Sequence, residues 1–334
     1  MTDSINSSLP GAKKSLHLGL GLWRVRARVG AFRTQLLREG ALSMAIVAHG
    51  RRQMEKAALQ LPTIEPNTAL EPLEIHFLSG RNFWYQTCFC AYSMARQAED
   101  ARIRPVIYDD GSLSEQYAQR IRKVFPDARI IDAREIESRL EESLPQSKFP
   151  FLRQTRQHYF HLRKLTDVHA GLHGWKLVLD SDMLFFRRPT FLLEWLKSPQ
   201  QPCYVLDVET AYGYSNALMS SLVKTEMPER VNVGVCGLKS EDIDWEKIEY
   251  WAKTLTEKEG LSYLLEQGLT AMFLADKKSV IGSREDYLVY PLRDEVEVYP
   301  RNVLQHYVGK AKDWYFRFAW KHVLRGNNDE PTLS

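Results

Sequence analysis

Two aspartates one residue apart, Asp180 and Asp182, stand between apolar runs, Leu177-Val178-Leu179 before them and Met183-Leu184-Phe185-Phe186 after. A strand of that composition is buried, and an ionised carboxylate there is costly unless it meets a cation or dense hydrogen bonding. A divalent metal ion is the simplest such partner, because carboxylate oxygens are hard ligands. Spacing alone carries little. The chain holds 17 Asp in 334 residues, for which about one Asp-x-Asp is expected by chance, and Asp242-Ile-Asp244 is another with no apolar setting. The structural alternative is N-capping of a following turn, against which the apolar run from Met183 to Phe186 argues.

The elements that must position this pair are legible as a βα alternation. Leu73–Ser79 alternates and is rich in strand formers, with Gly80 ending it. A helix over about Phe83–Gln97, a strand over Ile103–Tyr108, a turn at Asp109-Asp110-Gly111, a helix over Ser112–Phe125 and a short strand at Ala128–Asp132 follow. Such spacing predicts βαβ units and a parallel sheet. Residues 151–170 read as one long helix feeding the strand Leu177–Leu179. Asp180 and Asp182 then lie at that strand's C-terminal end, where open α/β sheets gather ligands. Beyond Arg187-Arg188-Pro189, the spacing predicts a helix at Thr190–Leu196 and strands at Cys203–Asp207 and Val231–Leu238. Helices at Asp244–Thr256 and Leu261–Phe273, strands near Val280, Tyr287–Tyr290 and Val296–Tyr299, and an aromatic amphipathic helix at Asp313–Leu324 complete the reading.

Hydrophobic content of 44% and charged content of 26% are those of a globular chain, so disorder is not expected. Cys88, Cys90, Cys203 and Cys236 form no CxxC pairs at zinc spacing, which speaks against structural zinc or a disulfide scaffold and for a reduced, cytoplasmic setting. The net charge of +3 is uneven: residues 1–56 carry ten Lys/Arg against three Asp/Glu. Trp23-Arg24-Val25-Arg26-Ala27-Arg28-Val29 and Phe32–Arg38 mix apolar and basic residues, so segment 13–56 is either a solvated extension or a peripheral contact to a membrane or partner. No apolar run reaches the roughly 18 residues that span a bilayer, and no cleavable signal is evident. No base-reading motif accompanies the basic arm, so nucleic acid is not an expected partner. The Pro-spaced stretch from Leu61 to Pro72 reads as a linker between a basic N-terminal extension, 1–72, and a main domain, 73–325.

Three motifs in one order resemble those of the GT-A fold of nucleotide-sugar glycosyltransferases, and most nearly the retaining family that includes glycogenin and the bacterial lipopolysaccharide galactosyltransferases. Leu179-Asp180-Ser181-Asp182 resembles the metal-binding Asp-x-Asp, and Asn232-Val233-Gly234 the Asn-x-Gly strand lining the sugar pocket. His306-Tyr307-Val308-Gly309-Lys310-Ala311-Lys312-Asp313-Trp314 resembles the C-terminal His-x-x-Gly-x-x-Lys-Pro-Trp. The likeness spans about residues 73–316. It implies an α/β fold with a mixed, mostly parallel Rossmann-like sheet flanked by helices, and transfer of a sugar from a nucleoside-diphosphate donor to a sugar, lipid or protein acceptor with retention.

By the same resemblance Asp180, Asp182 and His306 are the ligands of Mn2+ or Mg2+, the imidazole favouring Mn2+. Lys312 reaches the β-phosphate, Gly309 lets backbone approach, and Asn232 and Gly234 line the sugar pocket. Phe83 stacks on the base, Arg163 contacts the donor, and Gln267 lies nearest the anomeric carbon. The chain departs from the family at Gly80-Arg81, where an acidic residue usually reads uracil, at Glu266-Gln267-Gly268 in place of Asp-Gln-Asp, and at Asp313 in place of proline. Retention without a carboxylate nucleophile implies a front-face reaction; inversion would need a base, for which Glu209 and Glu266 are the candidates. Two other readings compete. Haloacid-dehalogenase-type phosphatases place Asp-x-Asp after an apolar strand, but at the start of the domain and with Thr or Val where Leu184 stands. The other is a non-catalytic nucleotide-sugar-binding protein.

Overall fold

The computed structural model describes residues 40–325. The basic stretches before residue 40, and with them most of segment 13–56, lie outside the described residues. The chain divides into two units, 1–51 and 52–334. The described part of the first is the N-terminal portion of helix α1 (Ala41–Ala58). No helix among the described residues is long and apolar enough to cross a membrane.

The second unit is built on a seven-stranded sheet of order β3-β2-β1-β4-β7-β6-β8. Its strands are β1 (Pro72–Ser79), β2 (Arg102–Asp109), β3 (Arg129–Ile131), β4 (Trp175–Leu179), β6 (Cys203–Leu206), β7 (Val231–Lys239) and β8 (Val280–Gly282). The half from β3 to β4 is parallel. Strand β7 runs antiparallel to both β4 and β6, so the sheet is mixed and mostly parallel, as expected. A second, three-stranded sheet of order β5-β10-β9 joins β5 (Met183–Phe185), β9 (Tyr287–Val289) and β10 (Leu304–His306). The Pro-spaced stretch after α1 lies against the sheet unit: Leu61 is buried, and Ile64 N–H donates to Val124 C=O at 2.8 Å.

Helix α2 (Trp84–Arg96) packs almost wholly buried, and α3 (Glu115–Val124) presents Ala118, Ile121 and Val124 to the core. Helix α4 (Ala133–Ser143) is absent from the sequence expectations. Asp132 starts it by accepting from the N–H groups of Arg134 and Glu135, a standard use of aspartate at an N-cap.

The expected long helix over 151–170 is broken. Helix α5 (Pro150–His158) stops at Tyr159, whose backbone is extended, and after a 3-10 turn at Phe160–Leu162 helix α6 (Arg163–His169) begins. The break is held from outside. The Tyr159 hydroxyl donates to Tyr263 C=O at 2.6 Å and accepts from Glu266 N–H at 3.3 Å, occupying a donor that the first turn of helix α10 (Leu265–Leu274) leaves unpaired. The two short helices are braced by Arg156 on α5, which grips the buried Asp167 carboxylate of α6 at 2.5 and 2.8 Å.

Helices α7 (Thr190–Lys197), α8 (Asn216–Val223) and α9 (Trp245–Glu259) follow along the chain. The expected strand at Val296–Tyr299 does not form: Arg293–Glu297 is a short helix, α11, closed by the Glu295 side chain accepting from Leu292 N–H. The C-terminal aromatic stretch is helical, from α12 (Ala311–Trp314) through a π turn at Tyr315–Ala319 into α13 (Trp320–Arg325).

Candidate active site

Strand β4 ends at Leu179, and the next backbone amide, Asp180 N–H, donates to Gly234 C=O on β7 at 2.8 Å. That bond turns the chain out of the large sheet, and Asp182 C=O accepts from Tyr307 N–H at 2.9 Å as β5 enters the small one. Antiparallel register then sets His306 opposite Met183. The two sheets therefore meet at the aspartate pair, and the downstream histidine is delivered by strand pairing.

One ligand atom from each of Asp180, Asp182 and His306 lies within 4.8 Å of the others. His306 Nε2 is 3.3 Å from Asp182 Oδ1 and 3.7 Å from Asp180 Oδ2. The ring is buried, and among the described residues neither of its nitrogens has a hydrogen-bond partner. A buried polar atom left unpaired is uncommon and costly, and an ion between the three groups would satisfy it. Room for the ring is made by Gly234, where an added Cβ would stand 2.3 Å from His306 Cε1. Two carboxylates and an imidazole suit Mn2+ better than Mg2+, so the residues present fit the expected ion.

Each carboxylate turns its other oxygen to a lysine. Lys312 Nζ is 2.9 Å from Asp182 Oδ2, and Lys164 Nζ is 2.9 Å from Asp180 Oδ1. Burial pushes the Asp182 carboxyl up, but the Lys312 charge and His306 outweigh it and hold the group well below the usual carboxylate range. Asp182 raises the Lys312 ammonium in return. Lys164 is buried between Asp180 and Glu266, 3.7 Å away, and these carboxylates lift it above its ordinary value against the cost of its burial. Burial carries Glu266 up to about 7, with Lys164 opposing the shift.

Asn232 is buried on β7, its Oδ1 accepting from Gly234 N–H at 3.0 Å and its Nδ2 donating to Asp207 at 3.0 Å. Gln267, on the first turn of α10, donates to Val231 C=O at 3.1 Å. Gly309 has a φ of +53°, a conformation natural to glycine, and a Cβ there would touch the Tyr290 ring at 3.1 Å. Phe83 stands 44% exposed at the N-terminus of α2. The β1–β4 register, Ile75 opposite Leu177, brings that end of β1 to the same sheet edge as the aspartates. A Cβ at position 80 would lie 1.9 Å from Asp110 Oδ1 and 2.4 Å from Ser112 Oγ, so any side chain there displaces the Asp110 and Ser112 side chains.

The Arg163 guanidinium donates to Asp110 C=O at 2.5 Å and to Arg156 C=O at 3.3 Å, fastening the turn after β2. The cation that the helix delivers to the site is its neighbour Lys164. One residue on a helix is about 100° of rotation, enough to exchange an outward for an inward direction. Asp207 also escaped the sequence reading. The signal for Lys164 was available in principle: two carboxylates in apolar settings, Asp180 and Glu266, each called for a counter-charge.

No protein-family model matches the chain, and no curated protein matches it. Solved structures do resemble it. The apo structure of the bifunctional glycosyltransferase WbbM is 10% identical over 80% of this chain and 51% of its own, with a TM-score of 0.50. The galactosyltransferase LgtC, solved with donor and acceptor sugar analogs, is 15% identical over 78% of this chain and 98% of its own, at 0.49. Mouse xyloside xylosyltransferase 1 is 11% identical over 72% and 98%, at 0.47. Seen with the mixed seven-stranded sheet and the small second sheet, the likeness to WbbM gives the conclusion that this chain has the fold of the GT-A glycosyltransferases.

Proposed function

We propose that this protein is a metal-dependent glycosyltransferase that moves a sugar from a nucleoside-diphosphate donor to an acceptor hydroxyl with retention. The observation that carries the reading is the convergence of Asp180, Asp182 and the unpartnered, buried His306 on one point at the edge where two sheets meet. Asp180, Asp182 and His306 would hold Mn2+, which when bound neutralises the diphosphate and makes it a better leaving group.

The remaining work falls to this chain's own residues. Lys312 sits on the open side of Asp182 with its side chain 46% exposed, placed to exchange that partner for a phosphate oxygen as a point charge. Lys164, inside the site, keeps the Asp180 carboxylate oriented. Glu266 is buried against Lys164, a poor location for a base that must reach an acceptor hydroxyl, and Glu209 is exposed on the segment after β6. That arrangement favours a front-face reaction, in which the departing phosphate takes the acceptor proton and no side-chain base is required.

Incubation with Mn2+ and a panel of UDP-, GDP- and TDP-sugars should give slow donor hydrolysis that Mn2+ chelation stops. Turnover of a phosphomonoester with no nucleotide-sugar activity would refute the transferase reading.

A further inference from the structure

Asp207, just past the end of β6, faces two carboxamides. Its Oδ2 accepts from Asn232 Nδ2 at 3.0 Å and from Gln267 Nε2 at 3.4 Å, while its Oδ1 accepts from Val208 N–H at 2.7 Å. A carboxylate oxygen only accepts, so both amides must turn their NH2 groups toward it and their carbonyls away. Gln267 Nε2 also donates to Val231 C=O at 3.1 Å, a second acceptor that permits only the nitrogen at this position. Both of its donors are thereby occupied. The Oε1 atom is left as the one group of Gln267 that can meet a ligand, and no group among the described residues donates to it.

The same hydrogen bonds tie this amide to the metal ligands. Asn232 Oδ1 holds Gly234 N–H, and Gly234 C=O holds Asp180 N–H. From the other side, Glu266 beside Gln267 holds Lys164, which holds Asp180. Asp207 is thus the hub where β6, β7 and α10 are fixed relative to the aspartate turn.

We propose that Asp207 is a positioning residue that locks the Gln267 carboxamide with its carbonyl oxygen presented to the substrate cleft. The inference rests on the glycosyl-transfer reading above. A sugar losing its diphosphate develops positive charge at the reacting carbon, and a fixed carbonyl dipole opposes that charge while a fixed NH2 group would add to it. The orientation of one amide therefore decides the sign of the field at that point. No catalytic contact is assigned to Asp207 itself.

The substitution Asp207→Ala tests this. It leaves Val231 C=O as the one remaining acceptor for the Gln267 NH2 group and frees the carboxamide to swing away from the orientation that the carboxylate holds. The expected result is a kcat lower by on the order of a hundredfold with donor KM changed little, since the dipole acts on developing charge. In a Gln267→Ala background the same substitution should cost little more. A measurement on the unaltered protein stands beside it: with 15N-glutamine labelling, the side-chain NH2 pair that disappears in Gln267→Ala should exchange slowly with solvent at both protons. Multiplying losses in the double variant, or solvent-fast exchange of that NH2 pair, would overturn the proposal. An unaltered protein that turns over no nucleotide sugar would instead refute the functional reading, and the exchange measurement would still decide the orientation of the amide.

Discussion

The substitution Gly234→Ala adds one methyl group at the most constrained point of the site. Its Cβ would lie 2.3 Å from His306 Cε1 and 2.8 Å from both Asn232 Oδ1 and Met183 Cε. Ordinary carbon contact needs about 3.5 Å, so something must move by roughly 1 Å. Gly234 lies where the β7–β6 register shifts, between Asn232 and Cys236, and its carbonyl accepts from Asp180 N–H. Movement of the ring displaces Nε2 and movement of the strand displaces the aspartate turn, and either takes a ligand from a position that metal coordination tolerates to only about 0.2 Å. The fold should survive with a loss of about 1–3 kcal/mol, while Mn2+ affinity falls by about ten- to a hundredfold. A control lies three residues along the same strand. A Cβ at Gly237 would meet the Trp195 ring at 2.5 Å and Cys203 Sγ at 2.6 Å, a comparable overload far from His306. Gly237→Ala should lower the melting temperature and leave Mn2+ binding unchanged. Calorimetric Mn2+ titration with thermal melts of all three proteins decides the matter, and a Gly234→Ala protein that binds Mn2+ like wild type would refute the assignment of His306 as a ligand.

Asp182→Ala should abolish Mn2+-dependent donor binding by calorimetry while circular dichroism remains native; retained binding would mean the ion sits elsewhere. Lys164→Met leaves Glu266 buried without its cation, so its carboxyl, already at about 7, rises further. Because a raised carboxylate pKa costs stability as pH climbs from the unfolded value of about 4.5 up to the raised one, the variant's deficit should widen by up to about 1.4 kcal/mol per pH unit above 7, seen by urea unfolding at pH 7 and 8.5. His76 and His169 run the opposite way: burial lowers both, His76 to about 3, so the unfolded chain takes up protons first and stability falls as pH drops below about 6.5. Glu266 offsets part of that loss between about pH 4.5 and 7, so Glu266→Gln should make unfolding between pH 7.5 and 5.5 more acid-sensitive than wild type.

The parallel half of the sheet was legible because strands buried on both faces read as apolar runs, and Asp180 and Asp182 were legible because they interrupt such a run. Helix α4 was missed although Asp132 is a recognisable cap; its charged sequence lacks an apolar stripe wide enough to announce it. The break at Tyr159 could not be read locally, because what holds it is the loop before α10, a long way along the chain. Arg163 and Lys164 differ only in direction, which depends on where α6 starts, and that start depends on the same break. The expected strand at 296–299 lost to a helix turn that Glu295 closes. Asp207 carries no signal of its own: its importance comes from two amides on other elements.

The third member of the cluster, His306, is placed by β10, a strand of only three residues. Because side chains alternate across a strand, a slip of one residue would send His306 to the opposite face and bring Gln305 or Tyr307 toward the aspartates. The reading frame of a single short ladder therefore sets ligand identity. Insertions or deletions in the segment between α11 and β10 that change this pairing should leave the large sheet folded and abolish ion binding. Among diverging copies of such a gene, loss of activity by small indels there would come more easily than loss of fold.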